Sequence, residues 1–140
     1  MERVLNGTCR RVAIDSNCFI YLIEGSPYAD KLTTLFQKME SKTVMGVTST
    51  LTLTEVLTGP FKAKDEHLAE EYRAALLHFP NLKFRELDNS VAIRSAEYKA
   101  KYGLKTPDAI QLATAVVEEA DAFVTNDMDF KKADFPVIFL

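Results

Sequence analysis

Four short stretches carry carboxylates in settings suited to metal chemistry. They are Asp15 in VAIDSN, Glu55 in TLTEVL, Asp108 in KTPDAI and Asp127 in VTNDMDF, with Asp129 two residues further on. Asp15 and Asp127 follow short apolar runs that read as β-strands, whereas Glu55 and Asp108 lie near the starts of segments with helical periodicity. In a parallel sheet the two strand-end acids share one edge, and the helix N-termini open onto that edge as well. Carboxylates crowded there repel one another and raise each other's pKa values unless a cation intervenes. A hard divalent ion such as Mg²⁺ relieves the conflict, because it prefers oxygen ligands and keeps several waters. Such a centre can activate water and stabilise the oxygens of a phosphodiester displacement, with two ions roughly 3.5–4 Å apart if it is binuclear.

Each acid also has a purely structural use. Asp15 can cap a helix starting near Ser16 or Asn17, and Glu55 can complete a capping box with Thr52. Asp108 follows Thr106 as a cap and Pro107 at the first helical position, so it complements the helix dipole. Asp127 or Asp129 can cap a terminal turn. The coincidence of all four, in this order, is what points to a shared centre.

Other chemistries find little support. Cys9 and Cys18 lack CxxC spacing, and His67 and His78 stand apart on one expected helix, which argues against a zinc site, a catalytic histidine or a Cys–His pair. A small-molecule phosphatase with an aspartyl nucleophile is a weaker alternative, since Asn17 stands where a second aspartate is usual. A receiver domain is disfavoured because no acidic pair precedes the first strand's aspartate.

The elements that must position the acids alternate along the chain. Strands are expected at Val12–Ile14, Val44–Val47, Leu82–Leu87, Ala122–Thr125 and Val137–Leu140. Between them, helical patterns cover Phe19–Ile23, a segment from Ser26 through Met39, Ser49–Leu57 (ended by Gly59-Pro60), Asp65–Phe79, Asp88–Tyr102 and Thr106–Ala120. Lys131-Lys132 falls on a short turn or helix. Leu32, Leu35 and Phe36 suit either the core or a partner surface. Strands separated by helices predict an α/β fold with a mainly parallel sheet.

The 140 residues suffice for one domain with its own core, and a hydrophobic fraction of 47% excludes intrinsic disorder. A formal net charge of −3 argues against a simple electrostatic nucleic-acid binder. It does not exclude a nuclease, whose metal-binding acids lower the charge, provided that basic patches such as Lys99/Lys101/Lys105 and Lys131-Lys132 meet the polyanion. No apolar run has the roughly 20 residues of a membrane span, and MERVLNGTCRR lacks a signal-peptide core. A cytoplasmic, reducing setting is expected.

The IDSN start, the TEVL glutamate, the KTPDAIQLATA helix and the closing FVTNDMDF together resemble PIN-domain ribonucleases, including the VapC-like toxins of bacterial and archaeal toxin–antitoxin pairs. The resemblance runs from Arg11 to Leu140 and implies a PIN-like three-layer α/β fold, its central sheet mainly parallel and flanked by helices. It implies a metal-dependent endoribonuclease with an acidic pocket for Mg²⁺ or Mn²⁺. Asp15 and Asp108 would be the principal metal ligands and Glu55 would complete the pocket directly or through water. Asp127 matches the fourth acid best, with Asp129 the alternative; Asn17, Thr125 and Asn126 would orient the acids. An RNA substrate, a cognate antitoxin protein and a homodimer follow from the same resemblance. A non-catalytic RNA- or protein-binding module is the main alternative on this fold. Residues 1–10 precede the usual start of such domains, as an additional strand, a tail or part of a dimer surface.

Overall fold

The β-rich runs of the sequence become five strands in the computed structural model, which describes residues 1–140 with the side chain of Leu5 excepted. They are β1 (Arg11–Ile14), β2 (Met45–Ser49), β3 (Leu82–Arg85), β4 (Ala122–Thr125) and β5 (Val137–Phe139). All neighbouring pairs are parallel, in the order β3-β2-β1-β4-β5. The chain builds outward from β1 to β3 and then returns to lay β4 on the other side of β1. The strand order therefore reverses between β1 and β4, and the carboxyl ends of these two strands flank the crevice where α/β folds bind ligands.

Seven helices flank the sheet: α1 (Glu2–Leu5), α2 (Ser16–Glu24), α3 (Tyr28–Glu40), α4 (Leu51–Lys62), α5 (Glu66–Leu77), α6 (Asn89–Tyr102) and α7 (Thr106–Val117); a 3₁₀ helix spans Met128–Lys132. Alternation along the central strands divides the core. Val12 and Ile14 of β1, with Ala122 and Val124 of β4, join Phe19, Leu32, Leu35 and Met39 in one cluster. Ala13 and Phe123 instead face Ala109, Leu112 and Ala115 of α7 and Phe130 beyond β4. Helix α7 is buried from Ala109 to Ala115, packed against α6 as well as the sheet.

Leu32 and Leu35 are fully buried, so they belong to the core and not to an exposed partner surface. Residues 1–10 add no strand. They form the short helix α1, whose Val4 is buried in the first core cluster, and the backbone N–H groups of Arg10 and Arg11 donate to the Asp121 carboxylate. Cys9 and Cys18 are both free and buried.

Three local expectations change. Gly59-Pro60 does not end its helix: α4 continues to Lys62 with Pro60 inside its last turn. At that place proline removes the N–H that would meet the Val56 carbonyl, and the helix ends two residues later. Helix α7 stops at Val117, before Ala120, because Glu119 turns left-handed (φ 54°) and Ala120 N–H bonds back to the Ala115 carbonyl. Thr106 is the first residue of α7 and not its cap; its hydroxyl oxygen accepts from Lys99 Nζ at 2.6 Å.

Beneath the C-terminus of α7, Glu118 is 5% exposed and collects cations from two strands. Lys83 Nζ and Arg85 Nη1 of β3 lie 3.0 and 3.1 Å from its carboxylate, and Arg11 Nη1 donates to its carbonyl at 2.7 Å. Burial pushes the Glu118 pKa up, but the bonds from Lys83 and Arg85 outweigh it and leave the carboxyl below its ordinary value. Among the described residues, no helix is long and apolar enough to cross a membrane.

Candidate metal centre

Asp15 is the first residue past β1, and its backbone N–H still pairs with the Val124 carbonyl of β4 at 2.9 Å. Its side chain caps α2 as the local sequence suggested, Oδ1 accepting from Ser16 N–H at 2.8 Å. Oδ2 accepts from the Thr125 hydroxyl at 2.7 Å and from Asn17 Nδ2 at 3.2 Å. Capping and membership of the acidic group are thus compatible. The carboxyl is only 5% exposed, and burial pushes its pKa to about 7. The bonds from Thr125 and Ser16 pull the other way, while the charges of Glu55 and Asp108 add to the rise.

Thr125 ties the two central strand ends together. It donates to Asp15, and its oxygen accepts the Asp127 N–H at 3.0 Å. Asp127 Oδ1 in turn accepts from Asp129 N–H at 2.9 Å and so caps the 3₁₀ helix. This cap brings Asp127 and Asp129 to one end of that helix. Asn126, expected to orient an acid, points elsewhere: its amide donates to the Tyr21 hydroxyl at 2.9 Å, joining the end of β4 to α2.

Asp108, in the first turn of α7, is half-buried. One carboxylate oxygen from each of Asp108, Asp127 and Asp129 lies within 4.8 Å of the other two. Both Asp127 and Asp129, the two candidates for the fourth acid, stand beside Asp108. Burial raises the Asp108 pKa to about 6, with further contributions from Asp127, Asp129 and Glu55 and a partial offset from Lys105. Asp15 and Glu55 lie outside the three-carboxylate group but near enough to act on each other electrostatically.

Glu55 does not form the capping box with Thr52, which lies inside α4. Its Oε1 accepts instead from Gln111 Nε2 at 3.3 Å. Gln111 was not singled out from the sequence, although it lies within KTPDAIQLATA, three residues after Asp108 and hence on the same side of the helix. A polar residue in that apolar run was the available signal. His67 and His78 are exposed and bond within their own helix, to Glu71 and to the Ala74 carbonyl.

The donor set is uniformly carboxylate oxygen, the chemistry that suits Mg²⁺ or Mn²⁺ and disfavours soft metals. Among the described residues, no salt bridge neutralises Asp15, Glu55, Asp108, Asp127 or Asp129. The residues present fit a divalent ion held by Asp108, Asp127 and Asp129 beside Asp15 and Glu55.

Comparison with known proteins gives the same architecture. No curated protein matches the chain in sequence. A toxin–antitoxin complex from Klebsiella pneumoniae is similar at 29% identity, with 91% of this chain and 95% of that one covered and a TM-score of 0.68. DNA-bound VapBC from Salmonella typhimurium shares the fold at 20% identity, covering 93% and 98% of the two chains with a TM-score of 0.72. VapC20 of Mycobacterium tuberculosis, a sarcin–ricin loop-cleaving toxin, shares it at 18% identity, covering 92% and 99% with a TM-score of 0.68. The PIN domain model matches residues 12–136, from β1 to the residue before β5. On that match, and with this VapC-like fold, the chain belongs to the PIN domain family.

Proposed function

We propose that the chain is a metal-dependent endoribonuclease, a VapC-like toxin held in check by a cognate antitoxin protein. The observation that carries this reading is the meeting of Asp108, Asp127 and Asp129 within 4.8 Å, at the strand-order reversal and beside buried Asp15. Mg²⁺ or Mn²⁺, as one or two ions, would be held by these aspartates, with Asp15 and Glu55 completing the pocket; the ion supplies an activated water and charge stabilisation at the phosphodiester. Asp15, Glu55, Asp108 and Asp127 are the catalytic set of this reading. Thr125 and Asn17 fix the orientation of Asp15, and the cap on the 3₁₀ helix fixes Asp127 relative to Asp129.

RNA as the substrate accords with the family and with exposed lysines close to the acids. Lys105 is near enough to Asp108 to lower its pKa, and Lys131 and Lys132 end the 3₁₀ helix that Asp127 begins. An antitoxin partner is supported by the complexes that share the fold, from Klebsiella and Salmonella. A homodimer would pool basic residues along a shared groove and compensate for the net charge. The two free, buried cysteines accord with a cytoplasmic setting.

The test is cleavage of a panel of tRNA and single-stranded RNAs with Mg²⁺, Mn²⁺ or EDTA, alongside Asp15→Asn and Asp108→Asn. Cutting that requires metal, falls at least about 100-fold in the folded variants and weakens steeply with salt is expected. Full activity in EDTA or in both variants would refute the reading.

A further inference from the structure

Glu55 is held differently from the other acids. Asp15 and Asp127 accept bonds from backbone N–H groups and sit at element ends, whereas Glu55 is a longer, more flexible side chain projecting from the middle of α4. Among the described residues its carboxylate has one hydrogen-bond donor, Gln111 Nε2. We infer that Gln111 is a positioning residue that holds Glu55 in the acidic centre through a one-way chain of side-chain hydrogen bonds, buried as far as Gln111 and anchored on the backbone beside Asp15. This rests on the metal-dependent reading above.

The direction of the chain follows from donor and acceptor inventory. The Ile14 carbonyl can only accept, so the Thr48 hydroxyl at 2.8 Å gives its proton there. Thr48 must then accept from the Thr52 hydroxyl, 2.7 Å away. Thr52, its proton committed, accepts from Gln111 Nε2 at 3.1 Å, which leaves the second amide proton for Glu55 Oε1 at 3.3 Å. Reversing the Gln111 amide would set its oxygen against a hydroxyl with no proton to give and against a carboxylate. The amide orientation is therefore dictated from the Ile14 carbonyl outward.

The placement of this chain matches the placement of the acids. Ile14 immediately precedes Asp15, Thr52 lies three residues before Glu55 and Gln111 three residues after Asp108. The chain thus crosses from β1 through β2 and α4 to α7, tying the strand end that precedes Asp15 to the two helices that carry Glu55 and Asp108. Thr48, Thr52 and Gln111 are 1%, 0% and 2% exposed, so water does not compete for the bonds among them, whereas the last bond, to Glu55, is half-buried. A purely space-filling role fits Gln111 poorly. Its Oε1 is a buried side-chain atom without a partner among the described residues, a cost that an apolar residue of similar size would avoid. What the glutamine provides and an apolar residue does not is the pair of N–H donors.

The test combines Mn²⁺ binding, followed by electron paramagnetic resonance, with thermal unfolding of the metal-free chain and steady-state RNA cleavage. Gln111→Met, which keeps the volume and removes the donors, is expected to fold and to bind Mn²⁺ about 10-fold more weakly or worse. Its kcat should drop with the KM for RNA unchanged. Thr52→Val, which removes the anchor of the amide, should move both readouts in the same direction, and Thr52→Ser should restore them. In a Glu55→Ala background, Gln111→Met should cost nothing further, because it acts through Glu55. Should Gln111→Met fail to fold, the Thr52→Val and Thr52→Ser pair carries the test. Wild-type Mn²⁺ affinity and kcat in the folded variants would overturn the inference and leave the nuclease reading intact, as would losses that add to those of Glu55→Ala. A wild-type chain that neither binds Mn²⁺ nor cuts RNA would overturn both.

Discussion

Replacing Asp15 by asparagine should stabilise the metal-free protein at neutral pH and lose that advantage in acid. The folded Asp15 carboxyl titrates near 7, against an ordinary value of 3.8, chiefly because it is buried. Its folded pKa is raised, so between those two values the folded state holds the proton more tightly than the unfolded chain. Stability from this group is therefore greatest in acid and declines as the pH rises towards 7. Because the proton difference is less than one at both ends of that range, the integrated difference between pH 4 and pH 7 is about 3 kcal/mol. Asparagine has no such slope but carries a constant penalty, because its amide turns into a donor one of the two oxygens that accept from Ser16, Asn17 and Thr125, at about 1–3 kcal/mol. The variant should thus be less stable than wild type by about 1–3 kcal/mol at pH 4 and more stable by up to about 2 kcal/mol at pH 7. Asp108, also raised, is present in both proteins, so its own desolvation cancels in the difference and only its coupling to Asp15 remains. Urea unfolding in EDTA at pH 4, 5.5 and 7 measures this, and saturating Mg²⁺ at pH 7 should favour the wild type again. A difference that stays constant from pH 4 to pH 7 would show that Asp15 ionises normally and that the burial argument is wrong.

Two further substitutions probe the scaffold. Glu118→Gln should cost about 1–3 kcal/mol at pH 7, through weaker bonds to Lys83 and Arg85. The Glu118 pKa is lowered on folding, so its contribution is present above the ordinary carboxylate range and lost as the pH falls through the folded value. Urea midpoints of variant and wild type should converge as the pH falls below the ordinary carboxylate range. Gly46→Ala should destabilise by about 1–3 kcal/mol, because the added methyl would overlap the end of Met39 and press on Ile14 Cδ1 at 3.2 Å; an unchanged thermal midpoint would show that Met39 swings aside freely.

Much of the architecture was legible because its signals are local. The strands at Val12–Ile14 and Ala122–Thr125 announce themselves by short apolar runs ending in acids, and Gly103 marks the end of α6 as expected, its φ of 67° being a conformation that glycine adopts without penalty. Pro60 misled because a proline in a last helical turn removes a bond without breaking the helix. The end of α7 was missed because a non-glycine residue, Glu119, adopts the left-handed turn. Residues 1–10 showed no pattern, since α1 has a single turn and is placed by what Val4 packs against.

By itself, the sequence determined which residue types stand at strand ends and helix starts: Asp15, Glu55, Asp108, Asp127 and Asp129 are covalent facts, as is the alternation that makes the sheet parallel. Tertiary structure alone decided which of them meet. The strand order set β4 beside β1, so that Thr125 reaches Asp15 across 110 positions, and the cap on the 3₁₀ helix brought both Asp127 and Asp129 to Asp108. The partners of Glu55 and Glu118, Gln111 and the Lys83–Arg85 pair, were likewise invisible beforehand. The reason is physical: propensity and capping act over a few neighbouring residues, whereas the distance between two charges, and the burial that shifts their pKa values, depend on how separate elements pack.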